Sequence, residues 1–159
     1  MKERREKMKL AEALANRADL QKRLEQMRGR LAGSALVQEN ELPPENPQEL
    51  LRETERLLSE LESYIERVNR TNLTATLSDG TTLTAALARR DVLGLRYGLL
   101  NGLVKTASDR VSRYGLAEIR ILPTVDVAPL RQQMDEVARE RRELDTAIQS
   151  VNWTTELEE

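Results

Sequence analysis

The chain of 159 residues contains no cysteine and no histidine. Without cysteine there is no disulfide, no thiolate metal site and no thiol nucleophile. Without histidine, the commonest metal ligand and the usual general base near neutral pH are both missing. Triads, zinc hydrolase sites and haem sites drop out, and any chemistry would rest on carboxylates, Arg, Lys, Tyr, Ser or Thr. Aromatic residues are scarce: no phenylalanine, one tryptophan and three tyrosines. A net charge of −2 gives no global drive towards nucleic acid or an anionic membrane. No apolar run approaches the ~18 residues of a bilayer span. The opening MKERREKMKLAEAL is charged where a secretory signal would be apolar. These absences set the expectation of a cytoplasmic protein with no cofactor, no metal, no nucleic acid and no membrane partner.

What is present is leucine, 26 of them, in a chain that is one-third charged. Leucine without aromatics suits long helices packed along seams. Leu10, Ala13, Arg17, Leu20, Leu24, Met27 and Leu31 alternate steps of three and four, a helical stripe. Pro43-Pro44 forbids helix, so 36–46 reads as a linker. Asn46, Pro47 and Glu49 then supply a cap, a first-turn proline and the third member of a capping box. The second seam is Leu50, Thr54, Leu57, Leu61, Tyr64 and Val68, widened by Leu51, Leu58 and Ile65.

Alternation of Leu73, Ala75 and Leu77 with threonines, followed by Asp79-Gly80, predicts a β-hairpin over 72–83. Thr84 would cap a third helix from Ala85 to about Arg113. A short strand is expected over 118–122. Asp126 caps a fourth helix with the seam Val127, Leu130, Met134, Val137, Arg141, Leu144, Ile148 and Val151. The expected fold is mainly α: four long helices in an antiparallel bundle or two helical hairpins, with a small β-hairpin and one extra short strand. Residues 1–8 read as an N-terminal extension and 9–159 as a single helical domain.

Arg17 and Arg141 stand inside leucine seams, where an unpaired guanidinium is costly. With Arg89, Arg90, Asp91 and Asp145 they form a candidate polar cluster. Its plain role is fixing helix register; its sharper role is an anion site built from Arg17, Arg90 and Arg141. Gly94, Gly98 and Gly102 recur every four residues, and each costs a helix interior ~1 kcal/mol against alanine. They mark a close helix crossing, within one chain or between copies. Residues 85–113 carry six basic and two acidic side chains, and 47–71 carry six glutamates and four arginines. Helices of opposite charge pair readily, which accounts for most of that pattern. Carboxylate groups such as Glu136, Glu140 and Glu143, or Glu62 and Glu66, flank the seams and read as solvated faces rather than a Mg²⁺ site.

The segments MKLAEALANRADLQKRL, NRTN, DGTTLTAALARRD, RYGLAEIR, PTVDVAPLRQQMD and RELDTAIQSVNW resemble the small helical bacterial family often labelled septicolysin. The resemblance covers nearly the whole chain from Met8 onward. It implies a mostly helical cytoplasmic fold and brings no activity to particular residues. The cytolytic sense of that name finds no membrane-spanning segment and no aromatic belt in this sequence. The expectation is a non-enzymatic, self-associating scaffold or interaction module, a homo-oligomer. The alternative is a binder of small anions or nucleotide-type ligands, or an enzyme acting on them, working through the Arg/Asp cluster.

Overall fold

The computed structural model describes residues 7–108 and 122–159. Four helices occupy most of them: α1 (Leu10–Gly33), α2 (Pro47–Thr74), α3 (Leu83–Ser108) and α4 (Val127–Thr154). Among the described residues there is no β-strand, only isolated bridges. The chain divides into two compact units, one of Met1–Thr76 with Gln149–Glu159 and the other of Leu77–Ile148.

In the first unit α1 packs against α2. The two run antiparallel: Asn16, early in α1, donates to the Tyr64 hydroxyl late in α2 at 3.0 Å. Arg30, late in α1, reaches Glu53 early in α2 at 3.6 Å. Leu20, Met27, Leu50 and Leu57 form the core, with Leu24, Leu31, Leu61 and Tyr64 packed against it. Each is a residue that the three-and-four spacing places on a seam. Full burial of such a side chain is worth about 1.5–3 kcal/mol, more than helix propensity supplies. Leu51 and Leu58 are left 45% and 44% exposed, so the buried face of α2 is narrower than the sequence predicts.

Polar caps and ion pairs fix where these helices start and stop. Asn46 accepts from the Gln48 amide at 2.9 Å with Pro47 at the first helical position. Arg30 forks onto Glu45, with Nε 3.0 Å from Oε2, and so pins the end of the Pro-rich linker to α1.

The last five residues fasten the opposite end of this unit. Thr155 accepts from the Leu10 amide at 3.0 Å, and the Leu157 amide donates to the Met8 carbonyl at 2.8 Å. The Glu158 amide donates to Thr71 Oγ1 at 3.0 Å, and Arg67 Nε donates to the Glu158 carbonyl at 3.0 Å. Leu157 and Thr71 are both buried. The Met8 carbonyl thus takes part in the strap. Lys7 is exposed, with its Nζ 3.9 Å from Glu156, and residues 1–6 lie outside the described residues.

The second unit opens on a tight turn where a hairpin is expected. α2 continues to Thr74 and α3 begins at Leu83, which leaves no chain for two paired strands. Helix continues through 72–74 because Val68 and Thr71 stay on the buried side of α2. The turn closes through the Leu77 amide on the Thr81 carbonyl at 2.8 Å and the Gly80 amide on the Leu77 carbonyl at 3.0 Å. Gly80 has φ +83°, the left-handed region that glycine enters freely. Asp79 accepts from the Thr81 amide at 2.9 Å, and that bond holds its carboxyl below the usual range. Thr82, not Thr84, caps α3: its Oγ1 accepts from the Ala85 amide at 3.3 Å. Asp126 caps α4 through the Ala128 amide at 3.1 Å. The expected strand over 118–122 falls outside the described residues, except that Leu122 itself is irregular.

Candidate functional site

Two surfaces of the second unit carry the residues that sequence reasoning singles out. The first is the polar cluster between α3 and the part of α4 that belongs to this unit. Arg89 Nε donates to Glu140 Oε1 at 3.0 Å. Arg90 donates twice to Asp91 Oδ1, at 3.2 and 3.0 Å, and its Nε lies 3.9 Å from Asp145 Oδ1. Arg141 makes no ion pair among the described residues; its guanidinium carbon lies 3.6 Å from where a Cβ on Gly94 would stand. The pairs 90/145 and 94/141 move in opposite directions along the chain, so α3 and α4 are antiparallel here.

Arg90, Asp91 and Asp145 thus meet, Arg89 pairs separately with Glu140, and Arg141 lies against Gly94. The structure corrects their setting. Arg141 is exposed rather than seated in a seam, and its guanidinium lies against the backbone of Gly94. The side chains of Arg89 and Asp91 are 63% and 68% exposed. Ion pairs in such surroundings contribute about 0–1 kcal/mol each. Arg17 belongs to the first unit, is half-buried, and makes no ion pair among the described residues. No buried side-chain nitrogen or oxygen among the described residues lacks a hydrogen-bond partner. Among the described residues no three acidic side chains gather in a way that would hold a metal ion. No helix among the described residues is long and apolar enough to cross a membrane.

The second surface is the outer face of α3. This helix is the most apolar and least amphipathic of the four. One side buries Leu83, Ala86, Leu93 and Val104. Far round the helix, Val92, Leu95, Leu99 and Leu103 recur at steps of three and four and are 62%, 69%, 77% and 42% exposed. Gly98 and Gly102 are exposed beside them, with open space where a Cβ would stand. Asp91 and Lys105, both exposed, flank the stripe at spacings of seven from Gly98. A contiguous apolar stripe left open on a helix marks a surface for interaction. Sequence spacing points to the glycines; the leucine stripe beside them it assigns to no surface.

Asn16 is a further residue that sequence reading passes over. A polar residue next to Arg17 gives no sign of a partner on α2 until the fold supplies Tyr64.

The family described as "Family of unknown function (DUF6847)" matches residues 17–157. A solved structure, described as a functionally unknown conserved protein from Corynebacterium diphtheriae, is similar at 40% identity. It covers 96% of this chain and 99% of that one, with a TM-score of 0.90. No curated protein matches. Neither description carries the name septicolysin, and both leave function open.

Proposed function

The chain belongs to this family of unknown function (DUF6847), and from that premise we propose that it is a non-enzymatic module that associates with a second copy of itself through the outer face of α3. The exposed stripe Val92, Leu95, Leu99 and Leu103 carries this proposal. The fringe of the stripe supports a second copy as the occupant. It holds an acid at one end, Asp91, and a base at the other, Lys105, so the face contains its own electrostatic complement.

Magnitudes bound the strength. Covering the exposed part of these four side chains on both copies yields about 8–15 kcal/mol gross. Lost translational and rotational freedom costs about 4–15 kcal/mol. The balance favours a reversible, concentration-dependent pair over a permanent one. Anion binding at the Arg89–Arg90–Arg141 cluster has weaker support, since carboxylates already meet two of the three guanidinium groups.

Sedimentation velocity over a dilution series tests self-association. The wild-type chain is expected to shift from one chain to two as concentration rises, and Leu95→Glu is expected to stay single with unchanged helical circular dichroism. A wild-type chain that remains single at its highest soluble concentration overturns the proposal.

A further inference from the structure

Resting on that self-association, we infer that the two copies meet with their α3 helices antiparallel, in the register that sets Asp91 of each against Lys105 of the other. Val92, Leu95, Leu99 and Gly102 follow the alternating steps of a two-helix seam. Residues 91, 98 and 105 flank that seam on one side, and 89, 96 and 103 flank it on the other. When two copies of a helix pair antiparallel, each flank faces itself. The flank with Gly98 at its centre has Asp91 seven residues before and Lys105 seven residues after. A two-fold axis beside Gly98 therefore makes the same acid–base pair twice.

In this register Leu95 packs on Leu99 of the second copy, and Val92 packs on Gly102. The larger side chain fills the space that the glycine leaves, at both ends. The two Gly98 residues face each other across the axis, where nothing within 4 Å obstructs approach. Asp91 is available for the pairing: both bonds from its neighbour Arg90 fall on Oδ1. The arrangement also brings the two Arg96 residues to the other flank, an opposing cost limited by their exposure to solvent. A parallel pairing is the competitor. It sets Asp91 beside Arg96 of the second copy, but it stacks Gly102 on Gly102 and leaves a void in the seam.

Charge reversal separates the two. Asp91→Lys and Lys105→Asp are each expected to weaken self-association about tenfold, and the double variant Asp91→Lys/Lys105→Asp is expected to restore it. Rescue by Asp91→Arg/Arg96→Asp instead identifies the parallel arrangement and overturns the inference. So does an absence of any effect from the single reversals. Because the wild-type chain has no cysteine, single-cysteine trapping gives a second readout. A mixture of Leu95→Cys and Leu99→Cys chains is expected to form the mixed disulfide faster than either like pair; a preference for like pairs contradicts the register. Self-association that persists without charge rescue sinks the register alone. A wild-type chain that never pairs sinks the self-association beneath it as well.

Discussion

Gly29 and Gly94 both sit inside helices, and their surroundings separate them. Nothing lies within 4 Å of a Cβ built on Gly29, whereas the Arg141 guanidinium lies in ordinary contact with one built on Gly94. Gly29→Ala is therefore expected to stabilise the chain by about 0.5–1 kcal/mol, the usual helix-interior difference, read as a higher urea midpoint at unchanged slope. Gly94→Ala is expected to gain less, because the guanidinium gives up freedom beside the new methyl group. Asn46→Ala removes the side-chain cap on the Gln48 amide at the start of α2 and is expected to cost about 1 kcal/mol in the same measurement. The cap and the first-turn proline were readable from the spacing Asn46-Pro47, since both act within one turn. Arg141 was not, because its seam position gives the direction of its Cα and not the reach of its stem. In the fold its guanidinium lies against the bare backbone of Gly94 on the facing helix.

Among the elements, the C-terminal strap joins residues far apart in sequence. Leu157 is 4% exposed and Thr71 fully buried, so Leu157→Ala is expected to cost about 2–5 kcal/mol of stability in the first unit. Loss of amide protection at Leu10 and Glu158, measured by hydrogen exchange, is expected to accompany it. In sequence this segment reads only as an acidic tail, because one leucine among glutamates has no period to announce burial. The linker offers a pH test. Its bond to Arg30 holds the Glu45 carboxyl below the ordinary 4.5. A lowered folded-state pKa stabilises fully above the unfolded value and is lost as pH falls through the folded one. Amide exchange next to Glu45 is therefore expected to quicken as pH drops below about 4.5, relative to its intrinsic rate. The same drop is expected to leave Glu45→Gln unchanged. The hairpin shows the opposite lesson: leucine–threonine alternation over 73–77 satisfies a strand pattern, yet α2 continues because the buried side of its last turn outweighs local preference.

For the whole molecule, helix count, seam residues and the cap at Asp126 follow from periodicity that local chemistry enforces. The division into two units does not, since no break in composition separates Thr76 from Leu77 or Ile148 from Gln149. The candidate interaction face was half legible. Three glycines four apart signal a special surface, but only the structure shows that Gly94 serves Arg141 while Gly98 and Gly102 stand in the open beside exposed leucines. Membership in a family of unknown function leaves that face as the feature from which a role is built. Native mass spectrometry of the untagged chain, beside Leu99→Glu, tests it most directly. Self-association through α3 predicts a species at twice the 18.1 kDa of one chain for the wild type, and a single chain for the variant. A wild-type chain that flies only as a single copy, or a variant that still pairs, contradicts it.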